Sequence, residues 1–475
     1  MKRGKYSLIY EFFKSHIEFG YLNKGDFLPT MEQLHQVYQV SYRTVRSAYR
    51  QLQAEGYVSL SAGRNTVVVY DGTPAEGLRR SQDYYLARKG AFDALQPALP
   101  PLLYPLLRAG SRRLDEKNFR AIRQVAATLE DGSFYISHFL ARQMLLALHN
   151  QFVMDFYSSL VTFYQFPHFL HRRVADPTMN QRLLALAAQT VEACDRGDRE
   201  GLFHIYLRLQ ELLDDVLQLY IGQAALSRPA PQPVPFRWDV YGDRPQMCYT
   251  VAAHLIARIF IKGEFAPGSY LPPYGAMAAA YAVSFSTIRQ VVQLLGRLGV
   301  VATRQGVGAQ VTAPSLDDDA LQHKPVQKII TTFLEAMQII SLTLDDVAAR
   351  FFQAPAWKTA GCIQRLQAQR AAGDVFSVLF TALGLLLYDS DDSPLKEIWE
   401  KFYETLLLGL PILKARTAGR AAAAQLQVYP TALICDLEQH DRPSFCTHLR
   451  EMIQLVTAEM KQVQSAVQPA AAPVV

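Results

Sequence analysis

Cysteine is scarce in this chain. Its 475 residues include five, which are Cys194, Cys248, Cys362, Cys435 and Cys446. No two of them form a C-x-x-C pair, so the sequence offers neither a disulfide framework nor a zinc site. We therefore expect buried or free thiols in a cytoplasmic protein, because the cytoplasm is reducing.

Long apolar runs and catalytic signatures are also missing. The apolar run from 375 to 388 has 14 residues and includes Ser377 and Thr381. It is shorter than the roughly 20 residues that a membrane-spanning helix needs. No G-x-S-x-G, phosphate-binding loop or dinucleotide fingerprint occurs. The sequence predicts neither a membrane protein nor an enzyme.

Length and composition indicate several globular domains. A chain of 475 residues exceeds what one hydrophobic core usually covers, so three or four domains are expected. Half of the residues are hydrophobic and 19% are charged, which is typical of folded rather than disordered chains.

One segment of the chain occurs twice, 243 residues apart. The stretch from Gly20 reads G-Y-L-N-K-G-D-F-L-P-T, and the stretch from Gly263 reads G-E-F-A-P-G-S-Y-L-P-P. At twelve positions of the first copy, the residue found 243 positions later is of the same type, and the alignment needs no gap. These positions are Gly20, Gly25, Leu28, Pro29, Tyr38, Val40, Ser41, Thr44, Arg46, Leu52, Gly56 and Gly63. Agreement at turn residues and on one helical face predicts one folded unit that is used twice.

Positive charge is concentrated in the two copies. Residues 1–70 contain nine Lys or Arg and five Asp or Glu, whereas residues 246–312 contain five cations against Glu264 alone. Each copy therefore carries +4, while the whole chain carries +5 and the remainder is net negative. A basic unit beside acidic surroundings favours contact with a polyanion, although a charge this modest also arises by chance.

Each copy has the order helix, helix, turn, helix, hairpin. In the first copy an apolar helix ends at Gly20, Thr30 caps a second helix and Ser41 caps a third. Gly56 ends the third helix, and two β-branched runs then flank a tip at 61–65. The inward residues of the third helix are Val45, Ala48, Tyr49 and Leu52. The pattern predicts a winged helix-turn-helix, and the second copy repeats it from Tyr249 to Val311.

The third helix of each copy presents hydroxyl and cationic side chains away from its buried face. Its N-terminal turn favours phosphate, and such a helix end reads base edges in the major groove. We predict DNA contacts from Thr30, Ser41, Tyr42, Arg43, Thr44, Arg46, Arg50, Arg64 and Asn65, and from Ser284, Phe285, Ser286, Thr287, Arg289, Arg304, Gln305 and Gly306. The alternative is an ordinary solvent-facing surface. Recurrence of Ser, Thr and Arg at the same three positions argues against it.

These motifs resemble the DNA-binding domain of GntR-type bacterial transcription regulators. The resemblance rests on L-P-T-M-E-Q-L with Y-Q-V-S-Y-R-T-V-R in the first copy and on L-P-P-Y-G-A-M with Y-A-V-S-F-S-T-I-R in the second. It covers about 65 residues each time. It implies a protein that binds a double-stranded DNA operator and regulates transcription.

The chain departs from the family pattern at several positions. Met31-Glu32 and Tyr274-Gly275 replace an acidic-then-arginine step, and Tyr42 and Phe285 stand where some members carry a base-reading arginine. Asn65 stands where a wing glycine is usual. The general contacts carry over, but the family's typical operator sequence does not.

The remaining two-thirds of the chain shows no strand alternation and has helical spacing, with helical runs predicted over 139–160, 326–340 and 343–352 among others. We predict a mainly α protein in which two winged helix-turn-helix domains, each of three helices plus a β-hairpin wing, alternate with two all-α domains. The predicted boundaries are 1–72 for the first winged helix, 77–226 for the first helical domain, 227–245 for an extended Pro-rich linker, 246–313 for the second winged helix, 317–465 for the second helical domain and 466–475 for a flexible tail. In the family, such helical domains serve effector binding or dimerisation.

Metal and diphosphate sites are weak alternatives. Some helical effector domains of the family hold a metal through an Asp and several His, but no such set can be placed on His138, His149, His168, His171, His204, His440 and His448. The acidic clusters 317–319 and 389–392 each precede a helical run, which is typical of helix N-caps rather than of a magnesium site. We predict no cofactor and no metal.

The sequence therefore predicts a DNA-binding transcription regulator with tandem reading heads and a small, unknown effector for its helical domains. It would act as a monomeric pseudo-dimer or as a homodimer, without membrane contact. The rival is a sensor or protein-interaction protein in which only the first winged helix, or neither, binds DNA. The sparse cations and Phe285 of the second copy favour the rival for that copy.

Overall fold

The computed structural model describes residues 5–32, 34, 41–60, 65–128, 134–165, 170–174, 176, 178–229, 231–238, 245–304, 306–353, 356–387, 394–417 and 421–467. The chain is mainly helical, and each of its two strand pairs is an antiparallel hairpin. It divides into two compact units, one of residues 1–97 and 106–238 and the other of residues 98–105 and 239–475.

The first unit begins with a helix, a second described helix and a short hairpin, followed by helices alone. The elements are α1 (Lys5–Glu18), α2 (Tyr42–Ala54), β1 (Val58–Ser59), β2 (Val67–Val68), α3 (Pro74–Ala98), α4 (Pro100–Ser111), α5 (Glu116–Ala127), α6 (Tyr135–Leu146), α7 (Gln151–Tyr164), a 3-10 turn (Leu170–Arg173), α8 (Met179–Asp195) and α9 (Arg199–Ser227). The α4 helix crosses the division between the units.

The second unit repeats this plan. Its elements are α10 (Pro245–Ile256), a π turn (Ala257–Ile261), α11 (Tyr274–Ala280), α12 (Phe285–Arg297), β3 (Val301–Arg304), β4 (Gly308–Val311), α13 (Asp318–Gln322), α14 (Lys324–Phe351), α15 (Ala356–Ala371), α16 (Val375–Leu387), α17 (Pro394–Thr417), α18 (Ala421–Leu426), α19 (Tyr429–Glu438) and α20 (Arg442–Val467). The predicted fold class is confirmed.

The 243-residue offset holds in three dimensions within the winged helices. Val58 pairs with Val68 in the first hairpin, and Val301 pairs with Val311 in the second. Each hairpin takes one further bridge, from Phe27 to Val67 and from Tyr270 to Gln310. The glycines at matching turns, such as Gly25 and Gly268, have φ of 97° and 91°, a conformation that a side chain disfavours.

The same offset extends through the helical domains, where the sequence shows almost no identity. Adding 243 to the bounds of α7 places it inside α17, the shifted α9 begins at the first residue of α20 and overlaps it throughout, and the shifted α6 overlaps α16. The buried residues follow the shift, since Leu202 and Leu209 correspond to Phe445 and Met452, all fully or nearly fully buried. Both units therefore follow the plan of one duplicated half. The apolar residue types differ between them, because packing requires only that side-chain volume and spacing are kept.

Some helix predictions need correction. The apolar run from Phe139 to Leu160 is two helices rather than one, because His149 has φ of 53° and the Asn150 side chain caps α7 by accepting from the Val153 amide at 2.9 Å. The runs 326–340 and 343–352 are one helix, α14. Helix α20 continues to Val467, into the predicted tail, whose last residues from 468 on lie outside the described ranges.

The Pro-rich segment is bound to the first helical domain. Val234 donates its amide to the carbonyl of Ala87 at 2.7 Å, and the Phe236 ring lies edge-on to Phe163 with centroids 5.2 Å apart. The Trp238 side chain is 1% exposed. The segment packs on the first unit rather than bridging solvent.

Within each unit the winged helix packs on its helical domain. In the first unit Arg173 donates to the carbonyl of Phe19 and lies over the Tyr21 ring at 4.5 Å. A Cβ on Gly77 would meet the carbonyl of Phe19 at 2.9 Å, so only glycine allows α3 to approach this closely.

In the second unit a buried carboxylate forms the corresponding contact. Glu404 of α17 is 8% exposed; it accepts from Thr250 of α10 at 2.9 Å and pairs with Lys401 at 3.2 Å. His254 Nε2 of α10 lies 3.6 Å from the same carboxylate. Burial by itself raises the pKa of Glu404, but His254, Lys401 and Thr250 outweigh it and hold that pKa below its usual range.

The first acidic cluster is a helix cap, as predicted. Asp317 accepts the amide of Ala320 at 2.7 Å, and Asp318 and Asp319 occupy the first turn of α13. The second cluster, 389–392, lies outside the described residues. In the described ranges, every helix is too short or too polar to cross a bilayer.

Candidate nucleic-acid interface

The third helix of each winged helix, which is α2 in the first copy and α12 in the second, begins with the same cap. Ser41 accepts the amide of Thr44 at 3.1 Å, and Ser284 accepts the amide of Thr287 at 3.1 Å. Each serine also shares a hydrogen bond of 2.8 Å with the threonine hydroxyl. The cap predicted from sequence is confirmed in both copies, and it orients the first turn of each helix identically.

The inward face of α2 is as predicted. Val45, Ala48, Tyr49 and Leu52 are fully buried, and the Tyr49 hydroxyl donates to the carbonyl of Pro29 at 2.6 Å. This bond ties α2 to the turn that leads into the second helix, so the exposed face of α2 is held in a fixed direction. In the second copy Ile288, Val291, Val292 and Leu295 occupy the equivalent face.

Opposite the core, α2 carries a row that we call the first reading face, formed by Arg43, Arg46, Ser47 and Arg50. These positions are spaced i, i+3, i+4 and i+7 and therefore lie on one side of the helix. All four side chains are exposed. Three guanidinium groups on one helix side make a strongly electropositive surface.

The second reading face, on α12, is formed by Ser286, Arg289, Gln290 and Gln293. All four are exposed, but only one of them is a cation. Sequence reasoning missed Ser47, Gln290 and Gln293, although the helical spacing from Arg43 and Ser286 would have found them.

Exposed aromatic residues begin both helices. Tyr42 is 45% exposed and Phe285 is 51% exposed. The Phe285 ring lies against Tyr274 of α11, with centroids 5.7 Å apart, and the Arg289 guanidinium stands 5.9 Å from the centre of the same ring. Tyr274 is another neighbour of the site that the contact predictions omitted.

The predicted wing contacts are only partly described. Asn65, Arg304 and Gly306 are exposed at or beside the hairpin tips, and Thr30 is exposed ahead of the second helix. Arg64 and Gln305 lie outside the described residues.

The histidines that the structure describes form no metal site. In the described part of the chain no three His, Cys, Asp or Glu side chains are arranged to hold a metal ion. His138 is buried, its Nδ1 lies 3.0 Å from the Tyr157 hydroxyl, and burial lowers its pKa to about 3. His168 and the side chain of His171 lie outside the description.

A capped third helix, a core formed with the first helix, and a two-stranded wing define a winged helix-turn-helix, the class to which both copies belong. A family model described as bacterial regulatory proteins, gntR family, matches residues 5–68 and 249–311. The matched ranges coincide with the two copies. Both copies are therefore helix-turn-helix domains of the GntR type.

Curated relatives agree with this assignment. The uncharacterized HTH-type transcriptional regulator YhcF of Bacillus subtilis (strain 168) is 28% identical over 99 residues, which are 21% of this chain and 82% of that protein. The uncharacterized HTH-type transcriptional regulator YhdI of the same organism is 34% identical over 110 residues, which are 22% of this chain and 24% of that protein.

Two solved structures are also similar to parts of the chain. Streptococcus agalactiae GntR is 14% identical, covers 44% of this chain and 99% of its own, and has a TM-score of 0.21. E. coli McbR/YncC is 18% identical, covers 46% of this chain and 97% of its own, and has a TM-score of 0.25.

Proposed function

We propose that the chain is a sequence-specific DNA-binding transcription regulator whose two winged helices are tandem reading heads of one polypeptide. The observation that carries this proposal is the pair of identically capped helices whose Arg46 and Arg289 are both exposed. Each helix therefore offers a solvent-exposed guanidinium group, and a guanidinium can bond guanine in the major groove.

The remaining predicted contacts support the reading helices. Thr30, Tyr42, Arg43, Arg50 and Asn65 in the first winged helix are exposed, as are Arg304 and Gly306 in the second. The two reading faces differ in charge, since the first has three cations and the second has one. We therefore propose that the two heads bind non-identical half-sites. The slope of log K against log salt concentration should also be steeper for the first head than for the second, by about two.

The experiment is a mobility-shift titration with duplexes that the wild-type chain selects from a randomised library. Arg46→Ala and Arg289→Ala are compared singly and together. Each lost guanine contact should weaken binding by roughly 5-fold to 150-fold. Arg120→Ala and Arg365→Ala are matched controls because both arginines are exposed on helical domains. Unchanged affinity of the double variant would refute the contact assignment.

The same titration distinguishes a chain in which both winged helices bind DNA from one in which only the first does. The rival function, in which the second winged helix serves protein interaction, is favoured by Phe285 and by the single cation of the second reading face. It predicts that Arg289→Ala binds as tightly as the wild type while Arg46→Ala does not. A loss in both single variants supports two working heads.

A small effector is proposed for the helical domains, in a DNA-binding protein of the cytoplasm. A surface cleft of about 690 Å³ between α8 and α9 is lined by Met179, Arg182, Asp215, Leu219 and Leu226, and its volume is in the range of ligand sites. Thermal-shift screening of common metabolites tests the effector proposal. A metabolite that stabilises the wild type but not Arg182→Ala, and that changes DNA affinity, supports it; a screen without such a compound contradicts it.

A further inference from the structure

The tip of the second recognition helix differs from that of the first in one chemical respect. Its first residue, Phe285, has a side chain without any hydrogen-bonding atom, and half of that side chain is in solvent. A scattered exposed apolar residue is ordinary on protein surfaces. Phe285, however, lies at the helix end that a winged helix-turn-helix presents to base edges.

The ring of Phe285 is held in place by its neighbours. Tyr274 packs against it at 5.7 Å between centroids with 50° between the ring planes, and the Arg289 guanidinium lies 5.9 Å from its centroid. Both distances are within the range of favourable aromatic and cation–π contacts. The ring is therefore oriented before any partner arrives, which reduces the ordering cost of binding.

The hydroxyl groups around Phe285 are bonded to one another. Ser284 Oγ lies 2.7 Å from Ser286 Oγ and 2.8 Å from Thr287 Oγ1, and it accepts the amide of Thr287. This closed set stabilises the cap. Beside these hydroxyl groups, the tip presents the ring of Phe285 and the guanidinium of Arg289 to solvent.

We infer that Phe285 reads the C5-methyl group of thymine in the half-site of the second winged helix. On the edges of base pairs in the major groove the thymine methyl is the apolar feature, and phenylalanine is among the side chains that contact it. Arg289 beside the ring bonds guanine, so the half-site combines a guanine with a neighbouring thymine. The inference rests on the proposed function, in which this helix enters a major groove.

The first winged helix does not share this property. Tyr42 occupies the equivalent position but carries a hydroxyl, and the residue equivalent to Tyr274 is Met31. The two heads therefore differ in the base feature that they read at the first helical position. This difference supplies an internal control for the test.

The test uses the full chain carrying Arg46→Ala, so that the second head dominates selection of a duplex from a randomised library. The selected duplex is then prepared with thymine and with uracil, which lacks the methyl group. We expect about threefold to fivefold weaker binding per methyl removed, the value for returning one such group to water. Adding Phe285→Ala should bring the thymine-to-uracil ratio to about one, whereas Phe285→Leu retains part of it and Tyr42→Ala leaves it unchanged.

The outcomes separate the inference from the function on which it rests. Equal affinity for the thymine and uracil duplexes, or a ratio that survives Phe285→Ala, overturns the inference while DNA binding stands. Failure of the chain to retain any duplex overturns the proposed function and the inference with it. Circular dichroism of Phe285→Ala should match that of the parent, since half of this side chain is solvated.

Discussion

Trp238 provides a direct test of how the Pro-rich segment is placed. The Phe236 and Trp238 side chains are buried while Arg237 between them is exposed, the alternation expected of an extended segment lying on a surface. The Trp238 ring has centroid distances of 5.3 Å to Phe152 and 4.9 Å to Phe156 of α7. We predict that Trp238→Ala destabilises the first unit strongly.

The magnitude follows from the burial. Truncating a fully buried tryptophan to alanine costs about 3–5 kcal/mol, from lost transfer energy and the cavity left behind. At roughly 2–4 °C per kcal/mol for a unit of this size, the melting temperature should fall by about 6–20 °C. Arg237→Ala, one residue away and exposed, should change the melting temperature by no more than about 2 °C.

The assay is thermal and urea denaturation of the full chain followed by far-UV circular dichroism, with Trp238→Phe as an intermediate variant. If the segment is packed on α7, stability should rise in the order Trp238→Ala, Trp238→Phe, wild type. If Trp238→Ala melts within the range of Arg237→Ala, the aromatic side chains are not packed on α7 and the segment is a solvated linker, as its composition first indicated.

Three further predictions concern the packing of the winged helices. Gly77→Ala should cost about 1–3 kcal/mol of unfolding free energy, measured by urea denaturation, because its Cβ would meet the Phe19 carbonyl; an unchanged midpoint would show that the contact with α3 is looser. Glu404→Gln should cost about 1–3 kcal/mol and lower the second unit's melting temperature, since the buried partner of Lys401 loses its charge; an equal melting temperature would contradict the ion pair. Burial lowers the pKa of His16 to about 4. In the unfolded chain the same imidazole takes up a proton below about pH 6.5, whereas in the folded chain it stays neutral. The free energy of unfolding should therefore fall by about 2 kcal/mol between pH 6.5 and pH 5. In His16→Leu this dependence of the unfolding free energy on pH should disappear. An identical pH dependence in the variant and the wild type would disprove the assignment to His16.

Much of each winged helix was predictable from sequence because its determinants are local. Ser41 and Ser284 cap the helices they precede, and glycine turns such as Gly25 and Gly268 specify positive φ wherever they fold. The buried face of α2 follows from helical spacing alone. The contact residues themselves stay a prediction, since DNA binding by those side chains awaits the affinity measurements.

Other features could not be predicted because they depend on residues distant in sequence. Nothing local to Glu404 indicates that its carboxylate would be buried against Thr250, more than 150 residues away. The break between α6 and α7 was missed because the apolar spacing continues across it, whereas the cap of Asn150 and the positive φ of His149 end the helix.

The sequence by itself determined the duplicated winged helices, their caps, their turns and the unequal charge of their third helices, because each of these properties resides in a few neighbouring residues. The tertiary structure alone decided that Trp238 is buried on α7 and that each winged helix is fastened to its own helical domain. These contacts join side chains that are not local in the sequence, and their burial energy exists only once the helices have packed together.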